Sequence, residues 1–517
     1  MIAVGKKRYL LTHDLGTTAD KACIFDDKLN LIASEVMDYR TYYPKNGKAV
    51  QRPEDWWSVF CTTTQSILRK CAIDPSEIAA VSCSGHSPSM VPISANGELI
   101  LEAVPIYADL SSREEVSKFM ESISEEDFYS MTGAGQVPEQ YSLFKMMAFR
   151  RENQEGFNRT WKILNTVDYL VYRLTGNVRT DFSQACNTGA LDIIKREWSE
   201  EILEAAEVPS EMMPEPVDST SVVGEVTDIA SSQSGLCKGT SVVMGGGDVA
   251  CAAAGAGAVT EGVSYVCLGS AAWMGFFSKQ PVLDYESKLV NYCHIVPGGY
   301  ALQYQMTGAG ICYQWLRDTI YRYKELDDDS TEETDYFEMM NAEANKSGVG
   351  ANRLIFLPYM RGIWAGKTNP DARGVLFGLN LGNTVGDIYR SALEGMVFGI
   401  KEIMDSFEKL GYSSRQVTVI GGCAKSKLWR QVIADITGRE VLCPAVIREA
   451  GSLGASIAAA IGVGMIDSFD DTKKIIEIVD VSYPNEKNHT KYQKYYSVFL
   501  ETKERLNDLF EKLANIE

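Results

Sequence analysis

Apolar runs of strand length alternate along this chain with amphipathic stretches of helical length. The apolar runs predict strands over residues 9–12, 22–25, 31–36, 78–81, 104–107, 262–268, 273–277, 354–357 and 417–420. Apolar residues at helical spacing predict helices over residues 54–70, 140–151, 161–174, 198–206, 387–410, 428–437, 450–461 and 492–516. Residues 180–190 are polar and predict a loop, and the acidic stretch 325–344 predicts a solvated surface excursion.

Residues 241–259, which read SVVMGGGDVACAAAGAGAV, hold the main candidate for chemistry. A short apolar run predicts a buried strand, Gly245, Gly246 and Gly247 end it, and a Gly/Ala-rich segment of helical length follows Asp248. Glycine lets backbone approach a ligand closely because it has no Cβ. A carboxylate on such a turn is placed to face a pocket, which makes Asp248 a candidate catalytic residue. The alternative is a turn whose aspartate caps the next helix.

A second small-residue turn, Gly16-Thr17-Thr18, lies between two of the predicted N-terminal strands. It is a hairpin turn and not a Walker P-loop, which opens a helix with Gly-Lys-Ser/Thr. Backbone N–H and hydroxyl donors there are able to hold phosphate oxygens, and Asp14 beside it is able to hold a hydrated Mg²⁺. The alternative is an ordinary hairpin with an Asx-type turn.

Polar residues follow two other predicted strands and suggest a ligand pocket. His86 and Ser87 come after the strand at 78–81, and a histidine there either contacts a ligand or satisfies a loop hydrogen bond. Asp109 follows the strand at 104–107, with Arg113 four residues further on. These two side chains either bind ligand hydroxyls or pair with each other.

A strand, a double glycine and a helix come together at residues 417–437. Gly421 and Gly422 with Ser426 are a candidate adenine or phosphate platform, because a helix N-terminus is positive. The alternative is a βα turn that needs glycine for packing. A further glycine turn opens the helix predicted after residue 306.

Composition narrows the class of protein and of partner. The chain has 517 residues, which favours two domains, and its 45% hydrophobic and 23% charged residues are typical of a soluble globular protein. The 69 acidic and 50 basic residues give a net charge of −19, which argues against nucleic acid and anionic membranes as partners. Twelve scattered cysteines and four histidines lack zinc-ligand spacing. No signal peptide or membrane-spanning run is evident, so we expect a reduced, cytoplasmic protein.

The N-terminal hairpin pattern recurs weakly in the second half of the chain. A predicted strand leads into Gly269-Ser270-Ala271, and another predicted strand follows at 273–277. Two similar halves would offer one small-residue turn each to a ligand in a shared cleft.

Several of these motifs together resemble the FGGY family of carbohydrate kinases, most closely its xylulokinase-like branch. The long stretch from Gly374 to Glu394 fits the C-terminal signature of that family. Asp14 to Thr18 matches its N-terminal phosphate loop, and Gly245 to Asp248 matches its catalytic segment. Gly269-Ser270 resembles its second phosphate loop, and residues 421–430 resemble its adenosine-binding turn.

The resemblance implies an α/β fold with two ribonuclease-H-like (actin-like ATPase) domains flanking a central cleft. Residues 1–257 would form the N-terminal, sugar-binding domain and residues 258–517 the C-terminal, ATP-binding domain. It implies that Asp248 is the general base and that Asp14 and Asp248 hold Mg²⁺. It implies ATP binding by Asp14, Gly16, Thr17, Thr18, Lys21, Gly269, Ser270, Gly310, Gln314, Gly421, Gly422 and Ser426, and sugar binding by His86, Ser87, Tyr107 and Asp109.

The chain departs from the xylulokinase pattern where the sugar is bound. His86-Ser87-Pro88 replaces the usual Gln-Met-His, Tyr107 replaces a tryptophan, and Ser111 replaces an arginine. We therefore expect an ATP-dependent kinase for a terminal hydroxyl of an open-chain sugar, with xylulose leading and erythritol, ribulose and gluconate as alternatives. A non-catalytic, actin-like nucleotide-binding protein is the rival interpretation, and the oligomeric state, for example a homodimer, stays open.

Overall fold

The structure, a computed structural model, describes residues 8–45, 47–269, 271–306, 308–321, 335–363 and 369–516. The chain folds into two units, each built from three separate segments. Unit 1 consists of Met1–Glu261, Phe277–Leu302 and Glu449–Ile476, and unit 2 of Gly262–Phe276, Gln303–Arg448 and Glu477–Glu517. These units are defined by packing, so the domain division expected between residues 257 and 258 stays a prediction.

The strands are β1 (Tyr9–Leu15), β2 (Ala19–Phe25), β3 (Leu31–Asp38), β4 (Val50–Gln51), β5 (Ile78–Gly85), β6 (Val91–Ile93), β7 (Val104–Pro105), β8 (Lys162–Leu164), β9 (Arg179–Asp181), β10 (Leu191–Asp192), β11 (Glu197–Trp198), β12 (Glu215–Val217), β13 (Val222–Glu225), β14 (Ser241–Val243), β15 (Gly246–Gly247), β16 (Ser264–Leu268), β17 (Ala272–Ser278), β18 (Val290–Cys293), β19 (Tyr300–Met306), β20 (Ile355–Leu357), β21 (Val375–Phe377), β22 (Gln416–Ile420), β23 (Glu440–Pro444) and β24 (Ile478–Ser482).

The helices are α1 (Pro53–Cys71), α2 (Arg113–Phe119), α3 (Glu125–Thr132), α4 (Ser142–Glu152), α5 (Gln154–Arg159), α6 (Thr166–Thr175), α7 (Phe182–Cys186), α8 (Glu200–Ala206), α9 (Asp228–Ser234), α10 (Asp248–Gly255), α11 (Gly310–Tyr321), α12 (Tyr336–Lys346), α13 (Val385–Lys409), α14 (Lys427–Thr437), α15 (Ala450–Gly462), α16 (Thr472–Ile475) and α17 (Glu486–Ala514).

A mixed sheet forms the centre of unit 1, in the order β13-β14-β5-β1-β2-β3, with β15 also paired to β5. The parallel pairs β1–β5 and β5–β14 lie at the centre of the sheet, and antiparallel strands lie outside them. Because the carboxyl ends of the parallel strands lie at one edge, β1, β5 and β15 deliver Asp14, His86 and Asp248 to the same edge. The sheet order therefore determines where a ligand site forms.

The second seven-stranded sheet has the order β18-β19-β17-β16-β22-β23-β24, and its strands from β19 to β24 repeat the topology of the first sheet. The hairpin β16–β17 corresponds to β1–β2, and the parallel pairs β16–β22 and β22–β23 correspond to β1–β5 and β5–β14. The weak repeat in the sequence is therefore a true structural repeat, confirmed by strand order and direction.

Close backbone contact between α10 and α15 completes the core of unit 1. A Cβ on Gly454 would lie 1.9 Å from the carbonyl oxygen of Cys251, and one on Gly255 would lie 2.0 Å from that of Ala450. Only glycine permits such an approach. The helix predicted over residues 450–461 is confirmed as α15, which also packs on β1 and β5.

Four local predictions were wrong or incomplete. Residues 161–174 were expected to be one helix, but β8 pairs with β6 and the helix α6 begins only at Thr166. Residues 180–190 contain the end of β9 and the helix α7, not only a loop. The strand expected at 104–107 covers Val104–Pro105 alone, and residues 335–344 belong largely to α12, in which Met340 is buried. The rest of the acidic stretch, residues 325–334, lies outside the described residues.

Within the described residues, no helix is long and apolar enough to cross a membrane.

Candidate active site

The hairpin turn Gly16-Thr17-Thr18 joins β1 to β2 and is tied down through its carbonyl oxygens. The Tyr39 hydroxyl donates to the Gly16 carbonyl, and the Tyr39 N–H donates to the Thr18 carbonyl at 2.9 Å. The Gln51 amide donates to the Thr17 carbonyl at 2.7 Å. The carbonyls are therefore used by the protein beneath the turn.

The same arrangement leaves donors on the other side of the turn. Among the described residues, the backbone N–H groups of Thr17 and Thr18 have no acceptor, and Thr18 is exposed. The Thr17 hydroxyl lies 2.8 Å from the Tyr107 hydroxyl. A turn whose carbonyl oxygens are already hydrogen-bonded and whose N–H groups point elsewhere is suited to binding anionic oxygens.

Asp14 is the penultimate residue of β1, two residues before Gly16. Its Oδ1 accepts a hydrogen bond from the Ser84 hydroxyl at 2.8 Å. A Cβ on Gly451, in the first turn of α15, would lie 3.1 Å from that oxygen, so helix backbone adjoins the carboxylate. The positive N-terminus of α15 stabilises negative charge on Asp14. Lys21 stands opposite Asp14 in the β1–β2 ladder, on the same face.

Asp248 is the first residue of α10 and follows the β15 glycines directly. Its Oδ1 accepts a hydrogen bond from the Val249 N–H at 2.8 Å. The N-cap of α10 is Gly247, so Asp248 is not the cap itself, although its carboxylate accepts one N–H of the first helical turn. Burial first, and the negative charge of Asp14 second, raise the pKa of Asp248 to about 7. A carboxylate with this pKa is able to accept a proton near neutral pH.

The donor chemistry at this edge suits Mg²⁺ held mainly by water and phosphate. Asp14 and Asp248 are close enough for their charges to interact, and both offer carboxylate oxygens. Among the described residues, no group of three or more His, Cys, Asp or Glu side chains is placed to hold a metal ion. Mg²⁺ in phosphate-transfer sites is typically bound through one or two carboxylates together with substrate phosphates. These two residues fit that pattern.

Three buried residues that the sequence analysis missed support the Asp248 turn. The Ser183 hydroxyl accepts a hydrogen bond from the Gly247 N–H at 2.8 Å and donates to Asp181 Oδ2 at 2.6 Å. Gln184 Nε2 donates to the carbonyl of Gly85 at 3.3 Å, just before His86. The polar run at 180–190 was the only sequence signal, and it predicted a loop.

His86 and Ser87 lie at the end of β5, as the sequence suggested. The His86 ring is 1% exposed, and burial lowers its pKa to about 4, so it is neutral at physiological pH. Its Nδ1 lies 3.5 Å from the Thr166 hydroxyl, whereas its Nε2 and the Ser87 hydroxyl are buried and have no hydrogen-bond partner among the described residues. Unpaired buried polar atoms are rare, and they are often explained by function.

Tyr107 contacts the Gly16-Thr17-Thr18 turn through Thr17, and its ring lies 6.3 Å from that of His86. The Asp109 carboxylate, in contrast, accepts hydrogen bonds from neighbouring parts of unit 1. Its Oδ2 accepts from the Ala49 N–H at 2.9 Å, and its Oδ1 accepts from the Ser111 hydroxyl at 2.6 Å. Arg113 forms an ion pair with Glu139 at 3.6 Å, so the alternative in which it pairs with Asp109 is wrong.

Unit 2 holds a cavity of about 690 Å³, within the usual range for small-molecule sites. The N-termini of α11 and α14 contribute to its wall. Of the residues predicted to bind ATP, Gly269, Gly310, Gln314, Gly422 and Ser426 line it. Gly421 does not line it directly; a Cβ there would lie 2.7 Å from the carbonyl of Leu268, which does. Ser270 lies outside the described residues.

An aromatic cluster that the sequence analysis missed also lines this cavity. Tyr313 stacks on Phe337 with ring centroids 6.2 Å apart, and Trp429 meets Tyr313 edge-on at 5.5 Å. Asn341 Oδ1 accepts from both the Tyr313 hydroxyl and the Trp429 indole at 3.2 Å. Flat rings beside helix N-termini are suited to a ligand with a base at one end and an anion at the other.

Comparison with known proteins gives consistent results over both halves of the chain. The model of the FGGY carbohydrate kinase N-terminal domain matches residues 9–255, and that of the C-terminal domain matches residues 264–463. The chain is 28% identical to a xylulose kinase of Staphylococcus epidermidis over 95% of this chain and 96% of that protein. It is 26% identical to a gluconokinase of Bacillus subtilis, over 98% of both.

A crystal structure of a ligand-bound xylulose kinase from Lactobacillus acidophilus has the same fold. It superposes with a TM-score of 0.86 at 23% identity, covering 98% of this chain and 99% of that one. The expected two-domain, ribonuclease-H-like α/β fold is thereby confirmed.

Proposed function

Because this chain belongs to the FGGY family of carbohydrate kinases, we propose that it transfers the γ-phosphate of ATP to a terminal hydroxyl of an open-chain sugar, with a pentulose such as xylulose as the leading candidate. The observation that carries the proposal is the half-buried Asp248 on its glycine turn, next to Asp14. Phosphoryl transfer needs positioned phosphates, charge neutralisation and a group that accepts the hydroxyl proton.

In the proposed reaction the sugar hydroxyl attacks the γ-phosphorus, and the bond from that phosphorus to the ADP oxygen breaks. Asp248 accepts the hydroxyl proton as the new bond forms, which its pKa of about 7 supports. The N–H groups of Thr17 and Thr18 hold phosphate oxygens. The unit 2 cavity, with Tyr313, Phe337 and Trp429 in its wall, is suited to the base of a nucleotide.

Mg²⁺ belongs to the proposal as the ion bound with ATP. Asp14 and Asp248 would hold it, and when bound it neutralises phosphate charge. Ser84 fixes the orientation of Asp14 for this role, through its hydrogen bond of 2.8 Å.

The choice of sugar rests on relatives and on the residues at the end of β5. Xylulose kinases and a gluconokinase are both similar to this chain along nearly its whole length. His86, Ser87 and Tyr107 differ from the xylulokinase pattern, and the neutral His86 offers a hydrogen-bonding group without charge. Ribulose, erythritol and gluconate are therefore the alternatives, and a neutral His86 favours an uncharged sugar over an aldonate.

A coupled assay of ADP release across pentuloses, hexuloses, polyols and aldonates tests the substrate. We expect strong turnover with one pentulose, first of all xylulose. Strong turnover with gluconate alone would contradict the pentulose assignment. No turnover with any of them would favour the rival, a non-catalytic nucleotide-binding protein.

The variant Asp248→Asn tests the base. We expect turnover to fall by about 10²–10⁴-fold, the usual effect of losing a positioned base, while ATP binding by calorimetry stays nearly unchanged. Near-wild-type turnover would rule out Asp248 as the base. A homodimer and a cytoplasmic location also stay proposals, the first open to light scattering.

A further inference from the structure

We propose that Ser183, held in place by Asp181, positions Asp248 by fixing the backbone of Gly247. The inference rests on the proposed function, because it assigns a positioning residue to the reaction in which Asp248 is the base. Neither Ser183 nor Asp181 contacts the reacting atoms in this assignment.

The contact to the turn is a single, well-defined hydrogen bond. The Gly247 N–H donates to Ser183 Oγ at 2.8 Å, and both residues are buried. A hydroxyl has one proton to donate, and Ser183 donates it to Asp181 Oδ2 at 2.6 Å. The hydroxyl is thereby fixed as the acceptor for Gly247, one residue before Asp248.

Asp181 is buried and is the centre of this network. Its Oδ2 also accepts from the Ser183 N–H at 2.8 Å and from the Ser219 hydroxyl at 2.8 Å, and its Oδ1 accepts from the Gln184 N–H at 3.0 Å. No ion pair involves Asp181 within the described part of the chain. Asp181 caps the five-residue helix α7, but a serine would cap it as well. Because burying a carboxylate costs free energy, capping alone is a weak explanation for an aspartate at this position.

The network also packs directly against the glycines. A Cβ on Gly246 would lie 2.7 Å from Ser183 Oγ and 3.1 Å from Asp181 Oδ2. The Gly245 N–H donates to the Ser219 carbonyl at 2.9 Å. All three glycines before Asp248 therefore contact this cluster, and these contacts restrict the conformation of their backbone.

The first test is Ser183→Ala with steady-state kinetics. We expect kcat to fall about 10- to 100-fold, the effect of misplacing a catalytic group by about 1 Å, with KM for ATP and for the sugar within about twofold. An unchanged kcat would overturn the inference. The matched control is Ser234→Ala, which removes an equally buried hydroxyl of unit 1 and leaves kcat unchanged.

The decisive test places Ser183→Ala in the Asp248→Asn background. If Ser183 acts through Asp248, the double variant loses little beyond Asp248→Asn alone, because effects on one group are not additive. If Ser183 has only a structural role, its loss lowers the residual turnover by the same factor as in the wild type. That result would overturn the inference and leave the proposed function intact.

A failure of the proposed function has a different signature: Asp248→Asn alone would keep wild-type turnover. Should Ser183→Ala not accumulate as folded protein by circular dichroism, Ser219→Ala replaces it. That variant removes one donor to Asp181 and keeps the Ser183–Gly247 bond. We expect a smaller loss of kcat that again disappears in the Asp248→Asn background, and an additive loss would overturn the inference.

Discussion

The carboxyl group of Asp248 owes its raised pKa first to burial and second to the negative charge of Asp14. The first disfavours the charged form through desolvation, and the second through repulsion. Tyr39 and Cys251 also lie within electrostatic reach of this carboxylate, and the pKa values of both lie well above normal, so neither adds charge near neutral pH.

This pKa predicts an acid limb in the activity profile. The base acts only when deprotonated, so kcat/KM for the sugar is fully present above a pH of about 7 and falls about tenfold per unit below it. The positive charge of Mg²⁺ lowers the pKa of a nearby carboxylate, so raising Mg²⁺ moves the limb to lower pH. The measurement is a pH–rate profile at two Mg²⁺ concentrations.

The residual activity of Asp248→Asn provides the control for that profile, because an amide does not titrate and its activity has no such limb. A wild-type profile that stays flat down to pH 5 would contradict the assignment.

The sequence predicted those site residues that lie next to each other along the chain. Asp14 and Gly16 share one turn, and Asp248 follows its glycines directly, so a local pattern was enough. Ser183 lies 64 positions from Gly247, and Gln51 lies 34 positions from Thr17. No local pattern indicates such contacts, because they depend on which strands become neighbours in the sheet.

At the scale of elements, the turn from β14 to α10 depends on a left-handed glycine. Gly245 has φ +71°, and a Cβ there would lie 2.0 Å from the Cys83 carbonyl. We predict that Gly245→Ala costs about 3 kcal/mol or more of stability and most of the turnover, since backbone has to shift. Denaturant unfolding and the kinase assay measure the two effects.

Gly298→Ala is the matched control for that substitution. Gly298 has φ +73° in the same unit, and no atom of the described residues lies within 4 Å of the added Cβ. We therefore expect Gly298→Ala to lower the free energy of unfolding only by the cost of the left-handed conformation, about 1 kcal/mol. Equal losses for the two variants would show that the close contact with Cys83 is unimportant.

The helix α13 gives a second comparison within one element. A Cβ on Gly395 would lie 2.1 Å from the carbonyl oxygen of Phe356, whereas one on Gly399 would meet the flexible side chain of Met306 at 2.4 Å. Backbone yields less readily than a side-chain end, so we predict that Gly395→Ala is less stable than Gly399→Ala by at least about 1 kcal/mol. Chemical denaturation of both variants checks this, and the reverse order would contradict it.

The longer elements were predictable from their own periodicity, and the failures have a physical cause. Residues 162–164 are apolar enough for a helix, but they pair with β6, some seventy positions away. The capping box of Asn165 and Asp168 was a usable signal for the start of α6 at Thr166. In the same way, Asp181 caps α7 within a stretch that was expected to be a loop.

At the scale of the whole molecule, the proposed sugar-binding and phosphate-turn residues belong to unit 1, and the aromatic nucleotide cavity belongs to unit 2. We predict that ATP alone slows amide hydrogen exchange most in α11, α12 and the start of α14. Sugar alone would slow it most around residues 84–88 and 245–250. Mass spectrometry of peptides measures both, and protection of the same unit by ATP alone and by sugar alone would contradict this division.

The helix α15 has a consequence for how the chain is made. It lies against β1, β5 and α10, and its first turn adjoins Asp14, yet it begins at Ala450. During synthesis the 449 residues before α15 are made before this part of their own core exists. The strands β1 and β5 therefore lack the helix that packs on them until the last 68 residues are being made. A chain that stops before residue 449 would contain these strands without α15.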